Sequence, residues 1–188
     1  MPALHSSPCP ALLLAALAPA LLTALLTASL PRTASAQAVD SAQPADVRAA
    51  LGVHNALRED VGAPPLAWSN DLARHAARYA RQLAARNCRL RHDNTPQGEN
   101  LYAAWGSPEL LPKQPLEDAS LAWGEEIKAY RGQPIGQGRF ADYGHYTQMI
   151  WKDTREVGLA SARGRDGCIV VVARYLPAGN VIGRRPSD

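Results

Sequence analysis

The 188-residue chain carries 20 Lys and Arg against 17 Asp and Glu, a formal charge of +3. So even a balance excludes the overall charge excess of a dedicated nucleic-acid or polybasic membrane-surface protein. The three cysteines form neither a Cys-x-x-Cys pair nor a Cys/His zinc pattern.

In chain order, the first feature is an almost pure Ala/Leu run from Ala11 to Leu30, followed by Ala34-Ser35-Ala36. A long apolar run ending in a small-x-small triplet predicts an export signal over residues 1–36, cleaved after Ala36. The run is also long enough to span a bilayer, the alternative being an uncleaved anchor. Residues 37–46 form a polar leader. The remaining chain suits one domain of about 150 residues with a single core, and no transmembrane segment is expected after cleavage. The destination is extracellular, or the periplasm or cell envelope. Two cysteines survive processing, Cys88 and Cys168, and an even count in an exported chain permits one disulfide.

Val47, Leu51, His54, Arg58 and Val61 recur at spacings of three and four, the stripe of a first helix that stops at Gly62-Ala63-Pro64-Pro65. Ser69 or Asn70 caps a second helix running to about Asn87. On it, Arg74, Arg78 and Arg81 form a basic stripe opposite Leu72, Ala76, Tyr79 and Leu83, the pattern of a solvated face. A third helix is expected from Pro115 to Tyr130, with Leu116, Ala119, Ser120, Trp123, Ile127 and Tyr130 on its buried side. A short helix over Tyr143–Trp151 is apolar nearly all round. The period then changes: Glu156–Ala162 and Cys168–Tyr175 are β-rich runs joined by a loop ending in Asp166-Gly167, which predicts a hairpin. Helices first and strands last give an α+β class.

The informative residues break these patterns. His54 and Arg58 lie on an apolar stripe, and a buried guanidinium needs a carboxylate or several carbonyls. Glu126 falls beside Trp123 and Tyr130 at the edge of the buried side, whereas Glu125 points away. His145 opens the short fourth helix. His92 lies in a polar loop after Cys88, and Glu99 follows Gly98, which is expected to turn the backbone sharply.

Five ordered motifs then connect these residues to a known family. Gly144-His145-Tyr146-Thr147-Gln148-Met149-Ile150-Trp151 and Tyr175-Leu176-Pro177-Ala178-Gly179-Asn180-Val181 resemble the two signatures of the CAP superfamily (cysteine-rich secretory, antigen 5 and pathogenesis-related 1 proteins). His54-Asn55-x-x-Arg58, Gly98-Glu99-Asn100-Leu101 and Trp123-x-x-Glu126-Ile127-x-x-Tyr130 resemble its other motifs. The resemblance covers most of residues 47–183, within an expected CAP domain of residues 47–185. It implies a three-layer α-β-α sandwich around a small antiparallel sheet, with a cleft lined by His92, Glu99, Glu126 and His145. His54, Asn55, Arg58, Asn100 and Gln148 are expected to support that cleft. The chain departs from many relatives in carrying Leu159 and Ala173 where they have cysteines, consistent with the joint loss of one disulfide.

Two imidazoles with carboxylates suit Zn²⁺ or another divalent cation. Similar proteins bind sterols, fatty acids or other small hydrophobic ligands, and Tyr102, Trp105, Phe140, Tyr143 and the loop from Gly132 are the expected apolar surface. No nucleic-acid partner is expected. The competing functions are a metal-dependent hydrolase acting outside the cell and a non-catalytic envelope or host-interaction protein. The first finds no support in a His-Glu-x-x-His helix, a Gly-x-Ser-x-Gly elbow or a P-loop.

Overall fold

The computed structural model describes residues 44–165 and 167–188. The expected export signal, nearly all of the expected leader, and the Asp166 half of the hairpin's Asp-Gly turn lie outside the described residues. Among the described residues no helix is long and apolar enough to cross a membrane.

The elements are α1 (Ala45–Asp60), β1 (Ala67–Trp68), α2 (Asn70–Ala84), β2 (Gly98–Trp105), α3 (Pro115–Gly124), α4 (Gly144–Met149), β3 (Glu156–Arg163) and β4 (Cys168–Leu176). Two 3₁₀ turns, Glu125–Lys128 and Phe140–Asp142, lead from α3 towards α4. The last two residues of the expected leader, Ala45 and Asp46, are thus already helical. Asp46 also has a task elsewhere. Its carboxylate accepts from the backbone N–H groups of Leu116 (3.1 Å) and Glu117 (3.0 Å), capping α3 from another helix where Gln114 supplies no side-chain cap.

The sheet order is β1-β3-β4-β2. The β3/β4 and β4/β2 pairs are antiparallel as expected, and the short β1 adds one parallel pair with β3. Strand β4 explains the layering. Val171, Ala173 and Tyr175 point into a core shared with Leu51 of α1 and Leu116, Ala119 and Trp123 of α3. Cys168, Val170 and Val172 point the other way, against Ala76, Tyr79, Ala80 and Leu83 of α2. A strand buried on both faces needs a helical layer on each side, which gives the three-layer α-β-α sandwich. Leu159 and Ala173 face one another across the β3/β4 ladder and both are buried. The two positions at which the family resemblance implies cysteines are therefore cross-strand neighbours.

Cys88 and Cys168 form a disulfide, tying the loop after α2 to the start of β4. Two local expectations are corrected. The third helix ends at Gly124 and tightens into a 3₁₀ turn, which rotates Ile127 outward to 44% exposure. Gly98 does not turn the chain. It opens β2, where any side chain would collide with the Gln148 amide.

Candidate functional site

In the strand order β2 is an edge, and the site wraps around it. Glu99 and Asn100, being adjacent on a strand, project to opposite faces. His92 reaches the edge from the loop before β2, and His145 from the first turn of α4. His92, Glu99, Asn100 and His145, together with Phe140 and Asn180, line one cleft of about 290 Å³.

Each histidine has its own carboxylate. His92 Nδ1 lies 2.6 Å from Glu99 Oε1, and His145 Nδ1 lies 2.6 Å from Glu126 Oε1. With the carboxylates accepting, Nδ1 carries a proton in both rings, and neither Nε2 has a protein partner among the described residues. The hydrogen bond to Glu99 raises the His92 pKa against the opposing effect of burial. Glu126 has a second role: its Oε2 accepts from the backbone N–H groups of His145 (2.9 Å) and Tyr146 (3.2 Å). One carboxylate thereby fixes both the ring and the helix that carries it. Glu126 is half-buried in the 3₁₀ turn and faces His145, whereas the Glu125 carboxylate pairs with Lys128 at the surface.

Glu99 is held by a residue that sequence reasoning missed. Arg174 sits directly opposite Glu99 in the β2/β4 register and is 1% exposed. Its Nη2 lies 3.0 Å from Glu99 Oε2 and 2.8 Å from Asp93 Oδ2, and Nη1 donates to Thr95 Oγ1. The Tyr79 ring covers the guanidinium at 5.0 Å. The signal was available: a lone charge in the otherwise apolar run from Ile169 to Tyr175 must find partners.

The expected supporting residues divide into those near the cleft and those remote from it. Asn100 donates to the His145 carbonyl (3.0 Å) and to the Tyr175 hydroxyl (3.1 Å). Tyr175 in turn lies 2.8 Å from His54 Nε2, while His54 Nδ1 lies 2.8 Å from the Ala50 carbonyl. A buried polar chain thus runs from α1 through the sheet to α4. Arg58 finds carbonyls, not a carboxylate: it donates to those of Pro64, Met149, Trp151 and Thr154 at 2.6–2.9 Å. Gln148 accepts from the Gly179 N–H at 3.0 Å. Next along that loop, Asn180 donates to the Gly144 carbonyl and accepts from Thr147 Oγ1. Asn55 lies apart, in a reciprocal pair with the Leu66 backbone.

Of the expected apolar surface, only Phe140 lines the cleft. Tyr143 is buried in a cluster with Ile135 and Trp151, Tyr102 packs against the α1/α3 core, and Trp105 is exposed at the far end of β2. A separate groove of about 420 Å³ opens where the end of α1 meets α4 and the chain's last residues; Val61, Tyr130, Tyr146 and Ile150 contribute apolar surface, Lys152 and Arg185 charge.

Known proteins share both sequence and fold. The model of the cysteine-rich secretory protein family matches residues 51–175. Pathogenesis-related protein 1C of Nicotiana tabacum is 40% identical over 138 residues, 72% of this chain and 77% of that protein. The human Golgi-associated plant pathogenesis-related protein 1 is 38% identical over 136 residues, 70% of this chain and 82% of its own. Among solved structures, that of NaASP2 with Zn²⁺ superposes with a TM-score of 0.64 at 25% identity, covering 78% of this chain and 87% of that one. Motifs, fold and relatives converge: the chain belongs to the cysteine-rich secretory protein (CAP) family, and within it is similar to the pathogenesis-related 1 proteins.

Proposed function

We propose that this is an exported, non-catalytic binding protein whose cleft takes up a divalent cation, Zn²⁺ being the best match, on His92 and His145. One observation supports this above the others: both imidazoles in the cleft have Nδ1 engaged by a carboxylate and Nε2 free, the arrangement in which a histidine binds metal. That NaASP2 was crystallised with Zn²⁺ agrees with the reading. Among the described residues no three His, Cys, Asp or Glu side chains are grouped to hold a metal. The donor set therefore fits an exchangeable ion with two protein nitrogens and solvent, not a closed structural site. Bound there, the ion would supply Lewis acidity and a point of attachment for an anionic ligand. Glu99 and Glu126 orient the rings in this reading. The same commitments weigh against the hydrolase reading, since every carboxylate oxygen at the two histidines is already engaged by a ring, a backbone N–H or Arg174.

Titration calorimetry is expected to show one Zn²⁺ site, weakened about 100-fold or more in a His92→Ala/His145→Ala variant, in keeping with the loss of both nitrogen ligands. Protons compete for Nε2, and Glu99 raises the His92 pKa. Affinity should therefore begin to fall on acidification above the ordinary imidazole range. Unchanged affinity in the double variant would refute the assignment.

The apolar groove favours a second ligand class. Its cationic residues suit a fatty acid better than a sterol, because a carboxylate can lie against Lys152 and Arg185 while the chain covers Val61, Tyr146 and Ile150. Val61→Glu, at a half-exposed position on the groove, is expected to weaken displacement of a fluorescent fatty acid about tenfold. Equal displacement by both proteins would remove this reading.

A further inference from the structure

The even charge of the whole chain hides a segregated distribution. From Leu72 to His92 there are six arginines and no acidic residue. Arg78 and Arg81 lie on the outer face of α2, and Arg86 and Arg89 come next in the loop to β2; all four are exposed. The fold adds two more that are distant in sequence. Helix α2 packs across β3 and β4, which brings the β3–β4 hairpin beside its C-terminal end, with Arg163 and Arg165 exposed there. None of these six side chains has an ion-pair partner among the described residues, in contrast to Arg74, which pairs with Asp71.

Between the two segments lies a shallow concavity of about 220 Å³. Its rim is Arg81, Arg163 and Arg165, and its floor is Ala84, Ala85, Ala162 and Gly164. The walls are fixed. The Cys88–Cys168 disulfide joins the loop after α2 to the hairpin, and a Cβ on Gly164 would strike both sulfurs and approach the Ala84 carbonyl to 3.0 Å. The small floor leaves room for a compact group, and three guanidinium forks around it are suited to tetrahedral oxyanions.

We propose that this face docks a sulfated polysaccharide, one sulfate seated in the concavity and the polymer continuing along the arginines of α2. The chemistry of the lining favours this partner over other polyanions. Single-stranded nucleic acid needs aromatic platforms for its bases, and no aromatic lines the concavity. Insertion into a membrane interface adds large apolar side chains to the charges, and the floor offers only alanine and glycine. A flexible chain of exposed sulfates requires neither. Attraction to anionic headgroups by charge alone is the alternative that the vesicles below test.

The test uses a heparin decasaccharide titrated into the purified protein at 150 mM salt, with fully desulfated heparin, a single-stranded 20-mer oligonucleotide and phosphatidylserine vesicles alongside. Saturable binding of the decasaccharide, at least tenfold tighter than that of each of the other three, is expected. Arg81→Gln/Arg163→Gln/Arg165→Gln should weaken it tenfold or more, whereas Lys113→Gln/Arg131→Gln/Arg139→Gln, an equal change of charge elsewhere, should shift it less than twofold. Equal losses in the two triple variants would reduce the effect to net charge and overturn the proposal. So would no binding by the unaltered protein, insensitivity to desulfation, or binding of the oligonucleotide or vesicles as tightly as the decasaccharide. The desulfation comparison needs no variant, so the outcome does not hang on how the substituted chains fold.

Discussion

Replacing Arg58 by methionine is expected to cost about 4 kcal/mol or more, a large share of the 5–15 kcal/mol that holds a domain of this size together. The guanidinium is fully buried, and burial pulls its pKa down to about 10, so it remains charged at neutral pH. Its four donated bonds reach the Pro64 carbonyl after α1 and the carbonyls of Met149, Trp151 and Thr154 at the end of α4. Methionine conserves much of the volume but leaves the Pro64 and Met149 carbonyls without a donor, each costing about 1–3 kcal/mol where it cannot reach water. It leaves those of Trp151 and Thr154 with only the Thr154 N–H and the Arg155 guanidinium. Because the same bonds fix the end of the helix that carries His145, Zn²⁺ affinity should fall along with stability. Urea denaturation would check the first effect, and a loss below about 1 kcal/mol would show that those carbonyls find water.

The second large effect is a pH dependence that belongs to His54. Burial lowers its pKa from 6.5 to about 4, because the ring is fully enclosed; the nearby Arg58 charge adds to the fall, while the hydrogen bond to the Ala50 carbonyl opposes it. The folded state therefore resists protonation while the unfolded chain does not. Its contribution is fully present above pH 6.5 and is lost as pH falls towards 4. Over that window the shift is equivalent to about 3 kcal/mol. The total fall in unfolding free energy between pH 7 and 4 should be smaller by about that amount in His54→Gln, even though the variant is less stable at pH 7. Parallel slopes for the two proteins would show that His54 does not govern the transition.

Much of this was legible in the sequence, and the misses have physical causes. The periods of α1 and α2, the change to strands after Trp151, and the anomaly of Arg58 all come from side-chain patterns that burial enforces locally. Glu126 could be separated from Glu125 by helical phase alone, although the segment finishes as a 3₁₀ turn, and the tightening showed only at Ile127. Gly98 was misread because a glycine needed for close approach looks the same in sequence as one needed for a turn; only the position of Gln148 distinguishes them. Arg174 and Asp46 act on segments far along the chain, through strand register in one case and helix capping across the core in the other. Neither relation has a periodic signal. The arginines of α2 do form the solvated face that their spacing predicts; what has no local signal is that Arg163 and Arg165 fold back beside them.

At the centre stand the two imidazoles which, with Nδ1 tied to Glu99 and Glu126, would present Nε2 to a shared metal ion. Anomalous diffraction at the zinc edge from crystals soaked in Zn²⁺ addresses this most directly. One strong peak is expected in the cleft, about 2.0–2.1 Å from Nε2 of both His92 and His145, with both carboxylates still on Nδ1. Zinc bound to a carboxylate oxygen in place of an imidazole, or a cleft without a peak at saturating Zn²⁺, would contradict it.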